Sequence, residues 1–190
     1  MVNKDTEDLY DDTLLRIEAE NRKRILDALT AVPKRTPEGW RRADIAVGGL
    51  EYIGFSELQP KKMVCISSQS SSIIDCDSRA ISFQDISVDE LELTAVTDAL
   101  PGETIRLAGI GGGGLRHMNA EGDQLTVAAP DYPKVQIIYQ PQYKSCFLEP
   151  KMCSVIFEEY EMRAFGFSKC GNYIIVACSG GVTIFARQQE

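Results

Sequence analysis

The chain contains one histidine, His117, so any Ser-His-Asp or Cys-His nucleophile and any two-histidine metal site would have to pass through that residue. It follows four consecutive glycines, Gly111 to Gly114, which predicts a surface loop position. Carboxylates are more abundant. Asp75 with Asp77, Glu121 with Asp123, and the run Glu158-Glu159-Tyr160-Glu161 each bring acids close enough in sequence to act as general acid and base. Neighbouring acids in turns are ordinarily solvated, and that is the expectation for these. Asp75-Cys76-Asp77-Ser78-Arg79 breaks the calcium-loop pattern at its third ligand and lacks the glycine, so it predicts a hairpin turn and no metal site. Cys65, Cys76, Cys146, Cys153, Cys170 and Cys178 include no C-x-x-C pair and mostly fall in apolar, strand-like runs. They are expected as reduced core thiols, with neither disulfides nor metal ligation. No catalytic residue and no cofactor is expected.

Leu107-Ala-Gly109-Ile-Gly111-Gly-Gly-Gly114 spells G-x-G-x-x-G, which in a dinucleotide-binding unit holds a pyrophosphate at a helix N-terminus. Here the glycines lead into Arg116-His117-Met-Asn-Ala-Glu121-Gly-Asp123, which is turn chemistry, and no Gly-Lys-Ser/Thr follows. The expected role is a bulge or a crossing where backbones approach closely. The alternative is a small enzyme acting on a nucleotide or carbohydrate, with the Gly109–Gly114 loop cradling the ligand and turn carboxylates as acid and base.

The elements that must position these residues fall into two segments, 1–40 and 41–190. From Thr6 to about Val32, Leu14, Leu15, Ile25, Leu26 and Leu29 recur at helical spacing. The helix is expected to end before Pro33, and Pro33-Lys-Arg-Thr-Pro37-Glu-Gly-Trp40-Arg-Arg42 to form a loop-like connector in which Trp40 packs onto the domain beyond. After residue 50, short runs of Ile, Val, Tyr and Phe separated by Gly, Ser, Asp, Asn and Pro predict many short antiparallel strands.

Those strands repeat. Tyr52-Ile-Gly54-Phe55-Ser56, a polar turn, Met63-Val-Cys-Ile-Ser67 and Ile73-Ile74-Asp75 align with Ala164-Phe-Gly166-Phe167-Ser168, a turn at Cys170-Gly171-Asn172, Tyr173 to Ser179, and Val182-Thr-Ile184-Phe185. A weaker copy between them runs from the turn at Ala120–Asp123 through Gln124–Ala128, a break at Pro130–Pro133, and Val135–Tyr139. The unit resembles a WD40-like β-propeller blade, although the Trp-Asp dipeptide is absent and three copies are fewer than the four that closure needs. The resemblance implies a mainly β fold: a three-bladed, open half-propeller-like array of antiparallel sheets with an N-terminal α-helix. Open edges need a cover, and the helix is expected to supply it as core, while the same edge offers a route to homo-oligomers.

With 190 residues and 44% apolar content, the chain can bury a substantial core. Twenty Lys and Arg against 28 Asp and Glu leave a net charge of −8, which disfavours nucleic acid and anionic lipid and suits a basic protein partner. The polar, acidic start resembles no secretory signal and no run is apolar enough to span a bilayer, so a cytoplasmic protein is expected. A small acidic chain with no catalytic set resembles immunity proteins of bacterial contact-dependent inhibition and related polymorphic toxin systems. That resemblance implies a non-enzymatic protein that occludes the active site of a cognate toxin, in particular a basic nuclease. The expected contacts are Glu121, Asp123, Glu158, Glu159 and Glu161, with Arg116 and His117 from the glycine-rich loop.

Overall fold

A computed structural model describes residues 4–188, with side chains from Thr13 onward. In chain order the elements are helix α1 (Lys4–Thr30), then β1 (Trp40–Ala46), β2 (Leu50–Phe55), β3 (Lys62–Ser67), β4 (Ser71–Asp75), β5 (Ile81–Phe83), β6 (Ser87–Asp89) and β7 (Thr94–Val96). They continue with β8 (Ile105–Arg106), β9 (Ala108–Gly109), β10 (Gln124–Asp131), β11 (Lys134–Gln140), β12 (Ser154–Glu159), β13 (Met162–Phe167), β14 (Tyr173–Cys178) and β15 (Gly181–Arg187).

The fold is mainly β, and its strands form four antiparallel sheets, none of them closed. The closing sheet has the order β1-β15-β14-β13, the middle sheet β10-β11-β12, the first-repeat sheet β5-β4-β3-β2-β9, and the small sheet β6-β7-β8. Strand alternation determines how they stack, because successive side chains point to opposite faces. In β14, Tyr173, Ile175 and Ala177 join Ile53, Met63, Cys65 and Ile74 in one core between the closing and first-repeat sheets. Ile174 and Val176, one residue out of step, join Trp40, Ile137, Tyr139 and Phe185 in a second core against the middle sheet. β14 is thus buried on both faces, which is why its sequence is a nearly unbroken apolar run. The pattern repeats outward. Val64, Ile66 and Ile73 pack with Ala95, Leu100 and Ile105 of the small sheet and its loops, and Ile138 and Val155 pack with Leu29 and Val32 at the end of α1.

Three expectations change. Trp40-Arg41-Arg42 is no connector loop: it opens β1, which pairs with β15 from Trp40↔Arg187 to Ala46↔Gly181. The three repeats are accompanied by a fourth sheet, β6-β7-β8, whose strands are only two or three residues long. Among the residues whose side chains are described, the helix meets the domain at its C-terminal end. Leu29 is buried, whereas Leu14, Leu15, Ile17 and Ile25 are exposed, so the described stripe is not core.

The repeated glycine of Gly-Phe-Ser has a single steric cause. The chain from Ile105 to Arg116 runs along β2 and β13, pairing as β9 with Tyr52 and Ile53 and then bridging Phe167 through Arg116. A Cβ on Gly54 would lie 2.5 Å from the Arg106 carbonyl oxygen, and one on Gly166 would meet Leu115 and lie 2.8 Å from the Arg116 carbonyl oxygen. Gly166 also sits at φ +155°, which other residues rarely adopt. The serines terminate the same strands: Ser56 Oγ accepts from Gln59 N at 2.8 Å, and Ser168 Oγ accepts from Tyr173 N at 3.2 Å.

Gly54→Ala and Gly166→Ala should each lower stability by about 1–3 kcal/mol in urea unfolding, as overpacked sites do. Gly114→Ala, where the added Cβ would meet nothing within 4 Å, should stay within about 1 kcal/mol of wild type. Equal losses at all three positions would contradict the crossing as the cause.

Candidate protein-binding surface

The glycine-rich loop is fastened through its backbone. Gly109 N donates to Gly112 O at 2.8 Å and Gly112 N donates to Gly109 O at 3.1 Å, so these two N–H groups are occupied by the chain itself and not turned toward a ligand. A Cβ on Gly109 would collide with the Glu51 carbonyl oxygen, and one on Gly113 with that of Leu107, so the glycines permit close backbone approach. Beyond them, Phe167 N donates to Arg116 O at 2.7 Å and Leu125 N to His117 O at 2.8 Å. The His117 ring is exposed on one face and stacks on Phe165, 4.3 Å between centroids. Arg116 and His117 are therefore surface side chains on a pinned segment.

The five acids do not form one face. Glu121 lies beside Gly171 at the β13–β14 turn, whereas Glu158, Glu159 and Glu161 flank the β12–β13 turn at the other end of β13, about 20 Å away at the rise of an extended strand. Asp123 is not a surface acid at all, being 2% exposed. It accepts from Arg187 Nη2 at 2.6 Å, Asn119 Nδ2 at 3.0 Å and Gln142 N at 3.1 Å. Burial alone would raise its pKa, but the hydrogen bonds from Arg187, Asn119 and Gln142 outweigh burial and hold it below the usual value. Arg187 in turn lies 4.5 Å over the Trp40 ring, and Trp40 Nε1 donates to Tyr139 Oη at 3.3 Å. Asp123 thus ties the closing sheet to the middle sheet.

Glu158 is also engaged. It contacts Lys34 at 2.9 Å and Lys134 at 3.5 Å and accepts from Gln136 Nε2 at 2.9 Å, and the Lys34 hydrogen bond leads the causes that lower its pKa. Glu159 accepts from Tyr160 N, and Glu161 lies 3.7 Å from Arg163. A second carboxylate, Asp77, links the closing and first-repeat sheets: Tyr173 Oη donates to it at 2.8 Å and Lys61 pairs with it at 2.5 Å.

Burial works against activation of the core thiols. Burial pushes the Cys65 and Cys76 thiols up to about 12 and Cys153 to about 11, and all six cysteines are unbonded. Among the described residues, no three His, Cys, Asp or Glu side chains converge to hold a metal ion. Within the same residues, no helix is long and apolar enough to cross a membrane.

The surface that sequence reasoning missed is apolar. Leu15 is 64% exposed on α1, with Leu14, Ile17 and Ile25 also exposed, and Phe147 and Leu148 project from the loop after β11. Arg24, Ile25, Ala28, Phe147 and Leu148 line a groove of about 360 Å³ where the helix meets that loop. The signal was present in the helix sequence, because Glu18 to Arg24 interrupts the apolar stripe with charge on every side and divides Leu14–Ile17 from Ile25–Leu29.

Asp123→Asn should cost about 2 kcal/mol at neutral pH, less than a fully buried pair because Arg187 is partly exposed. Since the folded-state pKa of Asp123 is depressed, its contribution is present above the unfolded value near 4 and is lost as pH falls through the folded one. In urea unfolding across pH, the gap between wild type and variant should close toward acid. A gap constant with pH would show that the charge is not what stabilises.

No protein-family model, no curated protein and no solved structure matches this chain.

Proposed function

We propose that this chain is a non-enzymatic binding protein of the immunity type, which neutralises a basic protein partner, specifically a nuclease toxin, by occluding its active site. The observation that carries the reading is the exposed apolar stretch of α1, over the part of the helix whose side chains are described. Leu14, Leu15 and Ile17 are exposed on it, and among the described side chains the packing against the domain lies at its C-terminal end, from Arg24 and Ile25 to the buried Leu29. A helix this poorly supported gains little stability from tertiary contacts and would gain it from a partner's groove. The sequence ahead of the apolar residues contains Asp5, Glu7, Asp8, Asp11 and Asp12, so a cationic partner is favoured by the same element that offers apolar contact.

The four sheets are read as blades of an open, propeller-like array. Three features support that reading: each sheet packs face to face on the next, the two strands carrying Gly-Phe-Ser lie along one crossing segment, and β1 completes the sheet made by the last three strands. In this reading the array is the scaffold and α1 is the arm that engages the partner.

The test is binding to a panel of basic nuclease toxin domains, measured by calorimetry and by survival of cells expressing them. Leu14→Asp combined with Leu15→Asp should weaken binding by about a hundredfold or more, the loss of two apolar anchors, with the melting temperature unchanged. Undiminished affinity and protection in that variant would remove α1 from the interface, and no interaction with the wild-type chain would remove the immunity reading.

A further inference from the structure

The outer edge of β12 is covered for only part of its length. Val155 N donates to Pro33 O at 2.9 Å and Arg35 N donates to Val155 O at 3.2 Å, a short parallel pairing centred on Lys34 opposite Val155. The connector then leaves the edge at Thr36-Pro37, where proline has no N–H to continue a ladder. Among the described residues, no segment takes up the pairing along Ile156 to Glu159, and β12 is the last strand of its sheet. An edge of this kind is a template for another extended chain.

Beside it runs a groove of about 330 Å³ lined by Lys34, Arg35, Arg42, Lys134 and the Val155–Glu158 stretch of β12. Its charge opposes that of the whole protein: four cations face one carboxylate, Glu158, in a chain of net charge −8. Glu158 is shared between Lys34 and Lys134, and the Lys34 side chain is still 63% exposed. Arg42 is held by Asp44 at 3.0 Å on the neighbouring edge strand β1.

We infer that this groove is a strand-addition site for an extended, acidic segment of a partner protein. Its backbone continues along β12 the ladder that Pro33 to Arg35 begin, and its carboxylates, falling on every second residue, face Lys34, Arg42 and Lys134. The edge requires an extended chain, since a helix has already satisfied its own backbone and gains nothing from unpaired strand groups. The cations require an acidic one. This site is separate from α1, and it stands or falls independently of the toxin reading.

Fluorescence anisotropy on the full chain with a labelled peptide of alternating valine and glutamate tests it. The acidic peptide should bind saturably, the same peptide with lysine for glutamate should not, and methylating its alternate backbone amides should weaken binding by about tenfold or more, because the ladder then lacks donors. Lys34→Glu with Lys134→Glu should do the same. Arg42→Glu, which leaves both Glu158 pairs intact, serves as the deciding variant should the double one unfold. The proposal is overturned if the peptide does not bind, if the methylated peptide or a single-stranded oligonucleotide binds equally well, or if folded variants bind undiminished.

Discussion

The ladder between β1 and β15 is the constraint on which the other packing depends. It joins residues from opposite ends of the β domain, Trp40 opposite Arg187 through Ala46 opposite Gly181, and so closes a loop spanning nearly the whole domain at a large entropic cost. Offsetting that cost are the apolar faces of β14 and β15, which contribute to the cores on both sides of the closing sheet. The polar ties follow the same geometry. Arg187, placed by the ladder, reaches Asp123 of the middle sheet, and Tyr173 of β14 reaches Asp77 beside the first-repeat sheet. β1 carries the exposed charges Arg41, Arg42 and Asp44, divided between its two faces, and such charges discourage further pairing along its free edge.

Much of this was legible in the amino-acid sequence because it is local. Gly-Phe-Ser marked β2, β13 and their turns, and the apolar runs of β3, β4, β11, β14 and β15 marked strands buried on one or both faces. What was not legible depends on long-range partners. β1 was hidden because Trp40-Arg41-Arg42 lies in a Pro- and Arg-rich stretch, and only pairing with β15 makes it a strand. The small sheet escaped notice because its strands are too short to show periodicity. Asp123 looked like a solvated turn acid because its cation, Arg187, is 64 positions away.

The helix shows the opposite error. Its spacing was correctly helical, but spacing alone does not reveal whether an apolar stripe has a surface to rest on, and over Leu14 to Ile17 this one has none among the described residues. The tetraglycine illustrates the same limit at a motif: the letters fit a phosphate cradle, while the backbone uses two of the N–H groups on itself and spends the missing side chains on close approach. Together these features leave an exposed apolar stretch on α1 and a basic groove beside β12. Each face has its own chemistry, which is why the acids distributed along the sequence did not converge on one patch.

Native-state hydrogen exchange is the most direct test of the account, in which a stack locked by β1 carries a helix held at its C-terminal end. In the isolated chain, amides of β1 should exchange as slowly as those of β14 and β15, through global unfolding, whereas α1 through Arg24 should exchange rapidly by local opening. Protection of the helix equal to that of the sheets, or loss of β1 ahead of β15, would contradict it.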